Sequence, residues 1–285
     1  MRILHFSDPH VQLPRWRERP LRELGPLRAL ATVELWKGRG RDYDAAEETL
    51  RALVRGTAGA DHVVCTGDLT QLGHPEEFAA ARAALGALAA DAGRFTVFPG
   101  NHDRYPWQGA ASRLFEEHFP EQARSDLPGA LRVRLLKEAA LVLLDSAGPL
   151  SWPVITRGRI GREQLEALEA TLGGPALRDL CKLIAVHHTP LLRGGRRDRP
   201  WHALSGAENL LAAARRGGAQ AILCGHIHDR FVHGEAPAVI CAGSSTQLGH
   251  EGWFELDLEG GRLVSVKQVQ LEGTVRSRSN SCRAG

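Results

Sequence analysis

The sequence predicts an α/β fold with a largely parallel inner sheet. Short runs of apolar and β-branched residues alternate along the chain with segments of helical periodicity. The chain opens in the order strand, helix, strand, helix, strand, which is typical of parallel pairing. The predicted strands of this opening are 2–6, 62–65 and 94–98, and the predicted helices between them are 44–53 and 75–90.

Both helices of this opening have local sequence signals. Pro75 stands at the first position of the second helix and Glu76 lies in its first turn, and both residue types favour a helix start. Each helix also has an apolar face, which we expect to pack on the sheet. The residues of these faces are Leu50 and Leu53 in the first helix, and Phe78, Ala81, Leu85 and Leu88 in the second.

The second half of the chain is richer in predicted strands, several of which are close enough to pair as antiparallel hairpins. Gly260 and Gly261 predict a tight turn between the last two strands. We find no internal repeat or linker, so we expect one domain over 1–275 and a disordered tail over 276–285. The predicted strands are 131–136, 139–144, 183–186, 221–224, 239–241, 253–258 and 263–269, and the predicted helices are 161–172 and 207–215.

The composition is that of a globular protein and narrows its partners. Hydrophobic residues make up 43% of the chain and charged residues 24%, a mix that excludes wholesale disorder. The net charge is +3 and the pI is about 8.7. Such a weak positive charge does not indicate nucleic acid binding, but it suits an anionic substrate.

The cysteines predict a reducing environment. The chain has five, an odd number, and their spacing fits no zinc motif. Those at 65, 181, 224 and 241 lie in apolar runs, so we expect buried free thiols rather than disulfides. We see no signal peptide and no apolar stretch of the roughly 18–20 residues that a membrane span needs. The expected location is the cytoplasm.

Metal-binding residue types follow five of the predicted strands at the point where each strand ends. In open α/β sheets, ligands bind at the carboxyl ends of the strands. The sequence therefore predicts one metal site built by separate parts of the chain. The motifs are Asp8-Pro9-His10, Gly67-Asp68, Gly100-Asn101-His102-Asp103, His187-His188 and Gly225-His226-Ile227-His228.

These residue types suit the hydrolysis of phosphate esters. The reaction must neutralise the phosphoryl oxygens and produce a nucleophilic hydroxide near neutral pH, and two metal ions roughly 3.5–4 Å apart do both. A carboxylate holds two such ions together, and we assign that role to Asp68. Mixed imidazole, carboxylate and amide ligands favour two divalent ions of manganese, iron, zinc or cobalt, with manganese our first choice, over magnesium or calcium.

The ordered set of motifs from residue 8 to residue 228 resembles the calcineurin-like metallophosphoesterase superfamily, especially its small bacterial phosphodiesterases. The resemblance implies a four-layer α/β/β/α sandwich of two mixed sheets with a dinuclear metal site at one edge. It also implies attack by a metal-bound hydroxide. The implied ligands are Asp8, His10, Asp68 and His228 for one metal, and Asp68, Asn101, His187 and His226 for the other.

Three assignments near the metals remain to be placed. His187 and His188 are adjacent and only one is expected to ligate; the double-histidine pattern of the family favours His187, and His188 stays open. The resemblance implies that His102 donates a proton to the leaving group or holds the phosphate. Asp103 is expected to orient a neighbour rather than to bind a metal.

Two segments do not fit the α/β pattern and bear on the substrate. Residues 11–41 form a basic insert with Trp16 and Trp36, and residues 191–202 carry several arginines. The insert is either the core of a small helical element or a surface for lipid and peripheral membrane contact. The arginines at 193–199 are either a solvated face or an anion-binding surface.

The predicted function is hydrolysis of a phosphodiester or pyrophosphate bond in a phosphorylated small molecule or lipid. The insert also resembles bacterial members of the superfamily that cleave UDP-diacylglucosamine, and this is the alternative substrate. A non-catalytic scaffold on the same fold is disfavoured because no ligand is missing. A nuclease subunit is disfavoured by the modest charge and the lack of a coiled coil. The sequence has no signal for an oligomeric state.

Overall fold

The computed structural model describes residues 1–13, 15–18, 28, 32, 35, 39–105, 113–148 and 156–271. Most of the insert predicted at 11–41 lies outside these residues, and so does the tail predicted at 276–285. The single domain predicted over 1–275 therefore stays a prediction.

The strands form two large sheets and one small pair within the described residues. In chain order they are β1 Arg2–Phe6, β2 His62–Cys65, β3 Phe95–Val97, β4 Arg132–Leu135, β5 Ala139–Leu144, β6 Gly158–Arg159, β7 Cys181–His188, β8 Leu204–Ser205, β9 Ala221–Gly225, β10 Arg230–His233, β11 Ala238–Ala242, β12 Gly252–Glu259 and β13 Arg262–Gln270.

The first sheet has the order β13-β12-β1-β2-β3. Strands β1, β2 and β3 are parallel, as the opening of the sequence predicts. Phe6 pairs with Cys65, and Cys65 pairs with Val97, so the three strands end at the same level. Strands β12 and β13 form an antiparallel hairpin at the predicted turn, where Gly260 and Gly261 both have positive φ. The motifs that follow these strands are therefore neighbours.

The second sheet has the order β10-β11-β9-β7-β5-β4. Its four inner strands are parallel, and an antiparallel strand flanks them on each side. His188 at the end of β7 pairs with Gly225 at the end of β9. The double-histidine motif and the Gly-His-Ile-His motif therefore leave the sheet side by side.

Three apolar cores separate four layers, as the resemblance implies. One core contains Phe6, Leu50 and Phe78, and so joins the first sheet to its helices. The second joins the two sheets to each other, with Ile3 facing Leu141 and Leu183. The third joins the second sheet to the helices that follow β6 and β8. The main α-helices are α1 Ala46–Gly56, α2 Pro75–Leu85, α3 Ala87–Ala90, α4 Leu114–His118, α5 Arg162–Gly173 and α6 Ala207–Arg216.

Several features of the fold differ from the sequence prediction. Strands β6, β8 and β10 and helix α4 were not predicted, and β7 spans Cys181–His188 rather than 183–186. The helix predicted over 75–90 is broken at Gly86, whose φ of 57° is incompatible with a continuing helix. Strand β10 was not predicted, because its polar residues Arg230 and His233 interrupt the apolar pattern. Arg230 is nevertheless buried and its guanidinium donates to the carbonyls of Ala242 and His250. A buried polar contact stabilises this edge strand where an apolar run was absent.

The described cysteines, at 65, 181, 224 and 241, are free and buried, as predicted; Cys282 lies outside the described residues. No helix among the described residues has both the length and the apolar character that crossing a bilayer demands.

Candidate metal centre

The carboxyl ends of strands from both sheets meet at one edge of the molecule. The backbone N–H of His226, after β9, donates to the carboxylate of Asp8, after β1, at 3.0 Å. Nδ1 of His187, at the end of β7, lies 2.8 Å from the carbonyl oxygen of Thr66, after β2. These contacts join the two sheets at the predicted site. They bring residues that are more than 100 positions apart in the chain within hydrogen-bonding distance.

The first ligand group consists of Asp8, His10 and His228, whose ligand atoms lie within 4.8 Å of one another. Nε2 of His10 is 2.9 Å from Nε2 of His228, which is itself 3.4 Å from Oδ1 of Asp8. The other ring nitrogens face outward: Nδ1 of His10 lies 3.3 Å from the carbonyl of Thr70, and Nδ1 of His228 lies 2.8 Å from the hydroxyl of Tyr43. Both rings therefore turn Nε2 toward the centre of the group.

The second ligand group consists of Asn101, His187 and His226. Oδ1 of Asn101 lies 3.1 Å from Nε2 of His187 and 3.0 Å from Nδ1 of His226. The outward nitrogens face main-chain carbonyls, of Thr66 for His187 at 2.8 Å and of His202 for His226 at 3.3 Å. Burial and the nearby His188 lower the pKa of His226 well below its usual range, so His226 is neutral, the form that binds metals.

Asp68 lies between the two groups. Its Oδ2 is 3.8 Å from Nε2 of His10 and 3.3 Å from Nε2 of His187. Burial disfavours its ionised form, but His187 holds the pKa of Asp68 well below the usual range. Burial likewise opposes protonation of His187, but the Asp68 carboxylate raises the pKa of His187 to about 10. This position between the groups is the one that a bridging carboxylate requires.

The backbone is strained at most of the predicted ligands. Among the described residues, six non-glycine residues have positive φ, and five of these are predicted ligands. Each such conformation costs on the order of 1 kcal/mol or more and persists where the surrounding structure enforces it, which is typical of functional sites. The φ angles are 51° at Asp8, 48° at His10, 53° at Asp68, 75° at His226 and 52° at His228, and the sixth residue is Arg15.

The arrangement of hydrogen-bond acceptors fits a bound cation. In the neutral form that binds a metal, His187 donates from Nδ1 to a carbonyl and its Nε2 carries a lone pair, and the same reasoning places the lone pair of His226 on Nδ1. Both lone pairs face Oδ1 of Asn101, which is itself an acceptor. Acceptors that face one another without a hydrogen between them are stabilised by a positive ion. The mixture of imidazole, carboxylate and amide donors suits a borderline divalent metal.

Two glycines of the predicted metal-binding motifs make room for the ligands. A Cβ atom at Gly100 would overlap the carboxylate of Asp68 and lie 2.7 Å from Cε1 of His187. A Cβ atom at Gly225 would overlap the carboxylate of Asp8. The absence of a side chain at both positions lets the strand ends approach the ligands closely.

A profile of the family described as calcineurin-like phosphoesterase matches residues 1–230. The chain belongs to the calcineurin-like phosphoesterase family. The family assignment and the fold class predicted from the sequence are therefore confirmed. The family's name supports the predicted enzyme class, a hydrolase of phosphoesters.

Two bacterial relatives carry phosphodiesterase names. A probable cyclic nucleotide phosphodiesterase of Rhodococcus erythropolis is 31% identical over 198 residues, covering 66% of this chain and 60% of the relative. A glycerophosphodiester phosphodiesterase of Enterobacter lignolyticus is 30% identical over 170 residues, covering 59% of this chain and 56% of the relative. The aligned part of the chain thus spans less than two thirds of the length of these calcineurin-like relatives.

Solved structures of other members share the fold. Purple acid phosphatase from yellow lupin has a TM-score of 0.55 at 15% identity, with 90% of this chain and 49% of that chain covered. The sulfate thiohydrolase SoxB of Thermus thermophilus has a TM-score of 0.50 at 16% identity, with 94% and 55% covered. At this level of identity the comparison shows the calcineurin-like fold alone.

His102 lies beside the first ligand group. Its backbone N–H donates to Oδ1 of Asp68 at 2.8 Å, and its ring centroid is 4.7 Å from that of His10. Its Nδ1 lies 2.7 Å from the carbonyl of Gln71. That carbonyl holds the ring through Nδ1.

Asp103 orients the loops that carry the ligands. Its carboxylate accepts hydrogen bonds from the backbone N–H groups of Leu69, Thr70 and Gly100. Burial and the nearby Asp68 raise the pKa of Asp103 to about 7. Its side chain thus ties the end of β2 to the end of β3, which agrees with an orienting role.

The two adjacent histidines have different surroundings. His187 faces Asp68 and Asn101, as described above. His188 has its Nδ1 2.8 Å from the hydroxyl of Ser146, and Gly158 of β6 packs directly on its ring. Nε2 of His188 is buried without a hydrogen-bond partner among the described residues. The contacts with Asp68 and Asn101 support His187 as the ligand. The ring centroid of His188 is 4.2 Å from that of His226, and its ligand atom also lies within 4.8 Å of those of His187 and His226.

Some residues that hold the ligands in place were not predicted from the sequence. Tyr43 contacts His228 from the start of the helical region after the insert. The hydroxyl of Ser244 donates to the carbonyl of Asp8 at 2.7 Å, and that of Thr246 donates to the carbonyl of Pro9. Both hydroxyls come from the loop after β11, and they fix the segment that carries Asp8 and His10. A serine and threonine cluster directly after a buried strand is the signal that would have found them.

Proposed function

We propose that the chain is a dinuclear metal-dependent hydrolase that cleaves a phosphodiester or pyrophosphate bond. The observation that supports this most is the placement of Asp68 between the first and the second ligand group, with its Oδ2 near both His10 and His187. One metal would be held by the first ligand group and Asp68. The other would be held by the second ligand group and Asp68.

Two divalent ions, when bound, supply the positive charge that neutralises phosphoryl oxygens and lowers the pKa of water. The protein positions the ligands through the contacts of their outward ring nitrogens, which fix each imidazole in one tautomer. His102 acts as the proton donor to the leaving group, through the Nε2 that its Gln71 contact leaves directed away from the main chain. A donor of this kind contributes about 10²–10⁴-fold to such reactions.

We assign diesters or pyrophosphates as substrates because both bacterial relatives carry phosphodiesterase names. Manganese is the expected metal, since the mixed donor set suits a borderline divalent ion. We place the protein in the cytoplasm, because buried free cysteines are typical of a reducing compartment.

A lipid-linked pyrophosphate such as UDP-diacylglucosamine is the second candidate substrate. The observation in its favour is the basic and aromatic character of the segment before Tyr43. The guanidinium of Arg17 lies 4.6 Å from the ring centroid of Trp16, which is itself buried with Leu13, Leu35 and Leu72, and Tyr43 at the end of the segment contacts His228. A lipid-recognising segment at this place would be attached directly to the metal centre.

One experiment tests both candidates. Purified protein with Mn²⁺ is expected to hydrolyse bis(p-nitrophenyl) phosphate, to lose that activity in a chelator and to regain it when Mn²⁺ is restored. Failure to turn over any diester, monoester or pyrophosphate in a metal-dependent manner would contradict the enzyme proposal. Deletion of residues 15–41 is the second arm: loss of UDP-diacylglucosamine cleavage with bis(p-nitrophenyl) phosphate cleavage retained would favour the lipid substrate, and equal losses would count against it.

A further inference from the structure

A cleft of about 680 Å³ lies next to the metal centre, between the segment after β7 and the end of β9. Its volume is within the range of about 300–1,000 Å³ that is typical of small-molecule sites. The residues that matter for its chemistry are Arg193, Arg196, Arg199, Trp201, His202 and Asp229.

The cleft shares a wall with the second ligand group. The ring of His202 is stacked on that of His226 with centroids 4.1 Å apart. Ile227 and Asp229, which also line the cleft, are the chain neighbours of His228. A substituent of a phosphate held at the metal centre can therefore extend into the cleft.

The cleft carries excess positive charge. Arg193 is neutralised by Asp229, with the two closest atoms 2.6 Å apart, and Asp198 is engaged by Nδ1 of His202 at 2.6 Å. Arg196 and Arg199 have no carboxylate partner within the described part of the chain. These two guanidinium groups suit an anionic substrate.

Trp201 gives the cleft an aromatic surface. Its side chain is 59% exposed, and the other tryptophans whose burial is described, Trp16 and Trp253, are buried. The guanidinium carbon of Arg199 lies 6.0 Å from the Trp201 ring centroid. An exposed indole beside arginine is the arrangement on which a planar nucleobase stacks.

We propose that this cleft binds the nucleoside substituent of a phosphodiester, with the base stacked on Trp201. The inference rests on the proposed function, because it requires the phosphate to lie at the metal centre. Arg196 and Arg199 contribute attraction for the anion, which is independent of the base. Trp201 is thus the residue that makes the enzyme prefer a nucleoside over a small alkyl substituent.

The test uses two substrates with the same p-nitrophenolate leaving group, thymidine 5′-(p-nitrophenyl phosphate) and methyl p-nitrophenyl phosphate. With Mn²⁺ present, Trp201→Ala is expected to lower the ratio of kcat/KM for the two substrates about tenfold, mainly through KM for the nucleoside ester. Trp201→Phe keeps an aromatic face and should restore most of the ratio. Arg199→Ala should lower kcat/KM for both substrates by a similar factor. Arg262→Ala, at the start of β13 in the first sheet, is the matched control.

A binding measurement supplements the kinetics. Calorimetric titration of the Mn²⁺-loaded protein with thymidine 5′-monophosphate should give an affinity about tenfold weaker in Trp201→Ala than in wild type. The proposal would be overturned if Trp201→Ala changed neither the substrate ratio nor the affinity, in a protein preparation that still hydrolyses bis(p-nitrophenyl) phosphate. If the wild-type protein did not hydrolyse bis(p-nitrophenyl) phosphate at all, the proposed function would be contradicted instead.

Discussion

The two ligand groups of the metal centre are supported in different ways. In the second group, His187 and His226 donate to main-chain carbonyls, those of Thr66 and His202. In the first group, His10 also faces a main-chain carbonyl, that of Thr70, but His228 contacts the side chain of Tyr43. Any residue at positions 66 and 202 would provide a main-chain carbonyl, whereas the hydroxyl that faces His228 is present only because residue 43 is a tyrosine.

The segment that carries Asp8 and His10 shows the same dependence on side chains. The hydroxyls of Ser244 and Thr246 hold its carbonyls, although its backbone is in the left-handed region at both ligands. A substitution that leaves every ligand in place can therefore loosen the first group. The second group can be weakened mainly by changing the ligands themselves. This difference also allows the two proposed metal sites to be distinguished by experiment.

The largest effect is expected where the two groups meet. Asp68→Ala removes the carboxylate that we assign as the bridge between the two proposed metals, so kcat/KM should fall by at least about a thousandfold. Metal analysis should show that fewer than two ions remain bound. His102→Ala is the informative comparison, because it should lower kcat by about a hundredfold or more while the metal content stays the same. Wild-type rates in Asp68→Ala would refute the bridging role.

The next effect separates the two kinds of support. Tyr43→Phe removes the hydroxyl that faces Nδ1 of His228, and loss of such a partner lowers metal affinity by about 10–100-fold. Only one of the two metal sites should weaken, as measured by competition with a chromophoric chelator. Thr66→Val is the matched control. It also removes one hydroxyl near the centre but keeps the carbonyl that supports His187, so metal affinity should hold. Equal effects of both variants would contradict the comparison.

Much of the fold follows from short-range patterns in the sequence. Apolar runs located β1, β2 and β5 with the bounds seen in the structure, because buried strands admit few polar residues. The pattern failed where a polar side chain is buried and hydrogen-bonded within a strand, as Arg230 is in β10. It also missed the interruption at Gly86, where a single backbone angle ends a helix that the apolar face would continue.

The candidate ligands were recognisable because each lies at or shortly after the end of a strand, and strand ends converge at an edge of the sheet. Their supports were not. Tyr43 is 185 positions from His228 in the chain and lies on neither a strand end nor a motif. Ser244 lies in a serine and threonine cluster after β11, which marks it as a candidate, but its partner Asp8 is 236 positions away. Such contacts depend on how loops from distant elements fold together, and no periodicity of a single sequence records them.

The smallest of the expected effects tests the support of the Asp8 segment. Ser244→Ala removes a buried hydroxyl that donates to the carbonyl of Asp8. Leaving that carbonyl without its donor should lower the free energy of unfolding of the metal-free protein by about 1–3 kcal/mol. Chemical denaturation measures this, with Ser265→Ala on the exposed strand β13 as the control. Metal affinity should fall less than in Tyr43→Phe, because the ring of His228 keeps its partner. A larger loss of affinity in Ser244→Ala would mean that the backbone of Asp8, rather than the orientation of His228, limits metal binding in the first group.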